Sequence, residues 1–121
     1  MSKESSSTTP PVFRSNCEVA IHVPDLAKAE AFYAGTLGFR VASRSVEYVE
    51  LDTGALRLFV IPNAGAPKTF IPSYDVEDYA TARRHLENAG CATVPARDGE
   101  SAVYFQDPFG FVFDIIERRN G

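Results

Sequence analysis

The chain has 121 residues, 45% of them hydrophobic, and its 16 acidic and 12 basic residues give a net charge of -4. This length and composition are typical of a single domain with a buried core. Because the basic residues form no run that could follow a phosphate backbone, and no apolar stretch approaches the roughly 20 residues of a membrane span, neither nucleic acid nor a membrane is expected as a partner.

The chain is expected to begin with a flexible segment. Residues 1–15 are polar, contain proline and lack periodicity, which predicts a flexible lead-in to a single domain at residues 16–121. No secretory signal is evident in this lead-in, and the two cysteines, Cys17 and Cys91, lack CxxC spacing. We therefore expect a cytoplasmic protein with free, buried thiols.

The first regular element is a strand. Residues 17–23 alternate with a period of two, so that Val19, Ile21 and Val23 suit packing under a helix. The opposite face then carries Glu18, Ala20 and His22.

A helix and three strands follow. Asp25 is a good N-cap, apolar residues recur at helical spacing from Leu26 to Leu37, and Gly38 ends the helix. Short strands in an antiparallel meander are predicted at 39–45, 46–53 and 55–62.

The second half of the chain repeats the first. A shift of 53 positions pairs Asp25 with Asp78, and after a one-residue slip in the alignment Gly38 pairs with Gly90. The same order of elements is predicted as a strand at 69–75, a helix at 77–89 and strands at 91–97, 100–106 and 111–117. Two paired βαβββ units, 17–62 and 69–117, predict an α+β fold whose curved mixed sheet carries helices on its outer face and a cup on the other.

Two segments resemble a known superfamily. VPDLAKAEAFYAGTLGF (23–39) and YFQDPFGFVFDIIE (104–117) are similar to the first-helix and last-hairpin signatures of the vicinal oxygen chelate superfamily. This superfamily includes glyoxalase I, extradiol dioxygenases and bleomycin resistance proteins. The resemblance implies the same paired-unit fold and, for small members, a homodimer.

The resemblance also implies four metal-ligand positions facing the cup. These are Glu18, Ile71, Asp114 and one residue within 56–61. Isoleucine cannot bind a metal, and 56–61 contains no Asp, Glu, His or Cys. His22 lies on the face of Glu18 but is displaced from it by roughly 6.6 Å along the strand. Since zinc, nickel and iron sites normally draw three or more protein ligands, we expect no metal and no other cofactor.

Two carboxylates in one cup leave three interpretations open. Arg57 could neutralise Glu18 and Asp114, a cationic or hydrogen-bonding ligand could contact them, or one of them could act as a general acid or base. Aromatic walls could come from Tyr48, Phe59, Phe70, Tyr74, Tyr104 and Phe105, although core packing suits most of these. No catalytic residue is identified, and the predicted ligand-binding residues are Glu18, His22, Arg57, Phe59, Ile71, Tyr104 and Asp114.

The function that fits these residues best is metal-free binding of a small hydrophobic or aromatic molecule, as in bleomycin resistance proteins. The alternatives are a divergent metal-dependent lyase, isomerase or dioxygenase, and an interaction module with a vestigial cup. His85 is expected on a solvated helix face, and Arg118 and Arg119 in a mobile tail.

Overall fold

A computed structural model describes residues 10–65, 68–95 and 103–118. In these ranges the order of elements is βαβββ twice, as the repeat predicts. A π-helical segment, Ala31–Thr36, continues the first helix. The elements are β1 (Arg14–Val23), α1 (Leu26–Glu30), β2 (Arg40–Arg44), β3 (Val49–Asp52), β4 (Arg57–Pro62), β5 (Ile71–Val76), α2 (Tyr79–Asn88), β6 (Ala92–Pro95), β7 (Val103–Gln106) and β8 (Val112–Glu117).

All eight strands form one mixed, curved and open sheet in the order β2-β3-β4-β1-β5-β8-β7-β6. Within each unit the first strand pairs in parallel with the last, and the other three strands form the predicted antiparallel meander. The two units join where β1 and β5 pair in antiparallel fashion at the centre of the sheet. The predicted α+β architecture is confirmed.

Local signals at the helix ends recur in both units. Asp25 accepts a hydrogen bond from the Lys28 N–H, and Asp78 accepts from the N–H groups of Ala80 and Thr81. Gly38 and Gly90 follow the helical segments with φ values of 80° and 99°. Residues that carry a Cβ atom rarely adopt such values, whereas glycine does so without strain.

The helices cover one face of the sheet with two hydrophobic clusters, one in each unit. The first cluster packs buried residues of β1, β3 and β4 against Leu26, Ala29 and Tyr33 of the first helical segment. The second packs Val76, Phe105 and Ile115 against Ala82 of α2, and Phe105 is fully buried there. The helix-free face is therefore left to form the cup.

Some boundaries differ from the predicted ones. β1 begins at Arg14 because Arg14 and Ser15 pair with Asp75 and Tyr74 of β5. Cys17 is exposed and Cys91 half-buried, so the expectation of buried thiols is wrong. Most of the predicted lead-in (1–9), Arg119 and parts of the predicted strands (96–97 and 100–102) lie outside the described residues. Among the helices of the described ranges, none has the length and apolar character needed to cross a membrane.

Candidate functional site

Four central strands bring side chains onto the helix-free face. Ala20 of β1 pairs with Phe59 of β4 on one side and with Ile71 of β5 on the other. Ser73, two residues after Ile71, pairs with Asp114 of β8. Paired residues of neighbouring strands share a face, so these side chains converge from strands that span both units.

The convergence forms a cavity of about 240 Å³, which we call the cup. Five of the seven predicted ligand-binding residues line it, namely Glu18, Phe59, Ile71, Tyr104 and Asp114. The remaining lining is apolar at Val19, Ala20, Ile61 and Ile116, and polar at Glu47, Tyr48 and Ser73. One chain thus supplies a lined cavity from both of its units.

Arg57 does not line the cup. Its guanidinium Nη1 lies 2.7 Å from Glu50 Oε2 on the neighbouring strand β3, and its side chain is largely exposed. The interpretation in which Arg57 neutralises Glu18 is therefore wrong, because Glu50 holds Arg57 at the outside of the cup.

Arg118 takes the role that was expected of Arg57. Its Nη2 donates to Glu18 Oε2 at 3.0 Å, and its Nη1 lies 3.5 Å from Asp75 Oδ1. The backbone N–H of Arg118 also donates to the Val76 carbonyl at 2.8 Å, which continues the pairing of β5 with β8. Arg118 is accordingly the counter-ion of Glu18 and continues the strand pairing, so its predicted place in a mobile tail is wrong.

The carboxyl group of Asp114 in the cup has a pKa well above its ordinary value. Burial raises the pKa of its carboxyl to about 6, and the nearby Glu18 carboxylate adds to the rise, while a backbone hydrogen bond at Ile115 opposes it. No ion pair among the described residues includes Asp114. Its negative charge at neutral pH is therefore poorly compensated.

A bulge in β1 directs Glu18 into the cup. The register between β1 and β5 shifts between Ser15 and Val19, and Cys17 within the bulge has a φ of 62°. Asn16 stabilises the bulge, because its Nδ2 donates to Ser73 Oγ and Asp75 Oδ1, and its Oδ1 accepts from the Glu18 N–H, all at 3.0 Å.

The conformation of Cys17 predicts the effect of two substitutions. Cys17→Gly is expected to raise the free energy of unfolding by about 0.5–1 kcal/mol, because glycine adopts positive φ without strain. The gain is only this large because glycine also loses more conformational entropy on folding, which offsets part of it. Cys17→Val is expected to lower it by about 1–2 kcal/mol, because a β-branched residue disfavours this region. Urea unfolding of both variants measures the difference, and a valine variant as stable as the glycine variant would contradict the assigned bulge.

His22 is buried behind the cup wall and does not line the cup. The Gly65 N–H donates to Asn63 Oδ1 at 3.3 Å, so Asn63 Nδ2 is the donor to His22 Nδ1 at 3.0 Å. A neutral imidazole that accepts at Nδ1 carries its proton on Nε2, which then donates to Tyr104 Oη at 2.9 Å. His22 therefore positions Tyr104, and its own ring borders a second cavity of about 290 Å³ near Lys68 and Phe70.

Three of the six aromatic residues considered from the sequence reach the cup. Tyr48 and Phe59 form an edge-to-face pair with centroids 5.6 Å apart, and Tyr104 stands on β7. Phe105 belongs to the core, Tyr74 packs against Phe113, and Phe70 borders the second cavity. The aromatic surface of the cup is therefore concentrated at its β3–β4 side, with one further ring on β7.

The donor set of the cup does not fit a divalent metal. Glu18 is engaged by Arg118, Ile71 has no donor atom, and the β4 residue that lines the cup at the level of Ala20 is Phe59. In the described parts of the chain no three His, Cys, Asp or Glu side chains gather closely enough to hold a metal ion. Zinc and iron sites normally need three or more such ligands.

Comparison with known proteins gives matches at the level of family and fold. The sequence-family model of the glyoxalase/bleomycin resistance protein/dioxygenase superfamily matches residues 18–115 of this chain. A comparison with curated protein sequences gives no match.

Similar solved structures include dioxygenases from Brevibacterium fuscum. A variant of homoprotocatechuate 2,3-dioxygenase is 20% identical over 93% of this chain and 35% of its own, with a TM-score of 0.65. A room-temperature structure of an extradiol ring-cleaving dioxygenase has the same identity and coverage and a TM-score of 0.64. A complex of homoprotocatechuate 2,3-dioxygenase with 3,4-dihydroxyphenylacetate is 16% identical over 93% of this chain and 39% of its own, with a TM-score of 0.62.

This chain spans well under half the length of these dioxygenases, and at such identities the likeness shows the fold alone. The family model is more informative, because it extends from the β1 bulge into β8 and so includes both βαβββ units. The chain belongs to the glyoxalase/bleomycin resistance protein/dioxygenase superfamily.

Proposed function

We propose that the cup binds a small, partly aromatic molecule without a metal ion, in the manner of a resistance or sequestration protein. The observation that carries this proposal is the composition of the cup at the positions where metal enzymes of this fold hold their ligands. Ile71 supplies apolar contact there, the residues of 56–61 that line the cup are Phe59 and Ile61, and Arg118 already engages Glu18.

The shape and lining of the cup support a ligand with a flat ring. Ligand sites are typically concave and apolar with a few polar groups that set orientation. Here Ala20, Ile61, Ile71 and Ile116 supply aliphatic surface, and the Tyr48–Phe59 pair supplies aromatic surface. Because one chain lines the cup, this proposal does not depend on the homodimer, which stays a prediction from the resemblance.

Filling the cup is expected to abolish ligand binding. Ala20 lies on its floor between Phe59 and Ile71, so Ala20→Phe would place a ring in the space that the ligand occupies. The measurement is a thermal-shift screen of the unmodified protein against flat aromatic compounds, followed by titration of the hits. A ligand at 100 times its dissociation constant stabilises the protein by about 2.7 kcal/mol, and Ala20→Phe should lose that gain.

The matched control is Ala27→Phe on the exposed side of α1, which should keep full affinity. Circular dichroism establishes that both variants fold. If Ala20→Phe does not fold, Ala20→Val places a smaller side chain in the cup and takes its place in the experiment. A library without a single hit, or an Ala20→Phe variant with unchanged affinity, would contradict the proposal. The first of these results would favour an interaction module with a vestigial cup.

One observation favours a second candidate, an enzyme that uses Asp114 as a general acid or base. A carboxyl whose pKa is about 6 can exchange a proton near neutral pH, and such groups are common in active sites. Turnover of a bound compound that is lost in Asp114→Asn, with binding retained, would establish this candidate over simple sequestration.

A further inference from the structure

The charged groups that line the cup all have the same sign. Glu18, Glu47 and Asp114 line it, and none of the described lining residues is basic. Arg118, which lies outside the lining, reaches Glu18 from the end of β8 and also pairs with Asp75. The cavity is therefore an apolar and aromatic space with carboxylates at its walls.

The three carboxylates differ in how far the protein compensates them. Arg118 pairs with Glu18 at 3.0 Å, and Glu47 is exposed at the rim. Asp114 is more enclosed than Glu47 and takes part in no ion pair within the described residues. A partly buried charge without a counter-ion is unfavourable, and a cation placed against it recovers much of that cost.

The aromatic pair and Asp114 stand on opposite sides of the cup. Phe59 lies on β4 and Asp114 on β8, and β1 and β5 separate these two strands. Three strand spacings correspond to roughly 14 Å along a flat sheet, and the curvature of the sheet shortens the direct path. A ligand that contacts both sides therefore needs a flat part at one end and a part that suits a carboxylate at the other.

We propose that the ligand of the cup is an amine cation carried on a flat system of one or two rings. The amine lies against Asp114 and the Glu18–Arg118 pair, and the rings lie against Tyr48 and Phe59. This inference rests on the proposed function and specifies its ligand class. Aromatic faces add to the attraction, since they favour cations as well as flat apolar groups.

Three probes with one ring system and different charge test the ligand class. Naphthylmethylamine is cationic at pH 7.5, naphthylmethanol is neutral, and naphthoate is anionic. Isothermal titration calorimetry of the unmodified protein should show the amine binding about tenfold or more tightly than the alcohol, and the anion binding more weakly than either. Asp114→Asn should bring the ratio of amine to alcohol affinity close to one.

The matched control is Asp52→Asn. Asp52 lies on β3, outside the cup lining, and pairs with Arg40 at 2.6 Å, so its loss should leave the ratio unchanged. Equal affinities for amine and alcohol in the unmodified protein would overturn the inference while leaving the proposed function intact. Absence of binding by all three probes, together with absence of hits in the wider aromatic screen, would overturn both. A ratio that survives Asp114→Asn would overturn the assignment of the amine to Asp114.

Discussion

Asp114→Asn is expected to stabilise the folded protein at pH 7.5 by up to about 3 kcal/mol. Burial, aided by Glu18, raises the pKa of Asp114 from the ordinary 3.8 to about 6. Each pKa unit corresponds to about 1.4 kcal/mol between the two protonation states. Asparagine has the shape of the neutral carboxyl and avoids the cost of an ionised group in this place.

The sign of the pH dependence follows from the direction of the shift. Because the pKa of Asp114 is higher in the folded than in the unfolded chain, the folded state binds more protons between pH 4 and 6. The contribution of Asp114 to the free energy of unfolding is therefore complete below about pH 4 and is lost as the pH rises through about 6. The advantage of Asp114→Asn should accordingly be near zero at pH 4 and full at pH 7.5.

Urea unfolding of the unmodified protein and of Asp114→Asn, at pH 4 and at pH 7.5, measures the change in the free energy of unfolding. Asp52→Asn is the control of opposite sign, because the Gly54 N–H and Arg40 lower the pKa of Asp52. That variant should lose stability at pH 7.5. An Asp114→Asn variant with the same advantage at both pH values would show that packing, and not ionisation, accounts for the change.

His22→Leu is expected to lower the free energy of unfolding by about 2–3 kcal/mol. The substitution removes the hydrogen bonds to Asn63 and Tyr104, at 3.0 and 2.9 Å, from a residue that is 7% exposed. Each partner left without its hydrogen bond costs about 1–3 kcal/mol, with the lower part of that range applying where water reaches the group. Since Asn63 and Tyr104 are only half-buried, we expect the lower part.

The second histidine of the chain provides the control. His85 lies exposed on α2, so His85→Leu should change the free energy of unfolding by no more than about 0.5 kcal/mol. Loss of His22 should also weaken ligand binding, because it removes one of the hydrogen bonds that position Tyr104 in the cup wall. Equal effects of the two histidine substitutions on urea unfolding would argue against the hydrogen-bonded chain from Asn63 to Tyr104.

Features that depend on neighbouring residues could be predicted from the sequence. Asp25 and Asp78 cap helices through bonds to residues two or three positions away, and Gly38 and Gly90 adopt the positive φ that helix ends favour. The alternation in β1 placed Glu18 and Ala20 in the cup, but it predicted His22 on the same face, and His22 does not line the cup. Ile71 and Asp114 could then be placed through the internal repeat and the family resemblance.

Features that depend on long-range pairing could not be predicted in this way. Arg118 reaches Glu18 across 100 positions of sequence, and this contact arises only because β1, β5 and β8 are adjacent in the sheet. The β1 bulge has no signal of its own, since Cys17 is not a residue that favours positive φ. Ring directions were also ambiguous, because neighbouring aromatic residues such as Tyr104 and Phe105 point to opposite faces once the strand is formed.

The order of strands also bears on how the protein behaves at high concentration. An open sheet ends in two outer strands, here β2 and β6, whose unpaired backbone groups could recruit a strand from another molecule. β2 begins and ends with arginines that are ion-paired to Asp52 and Glu30, and β6 ends in Pro95, which has no N–H to donate. These charged residues and the proline are features that oppose edge-to-edge pairing of one copy with another at both outer strands of the described sheet.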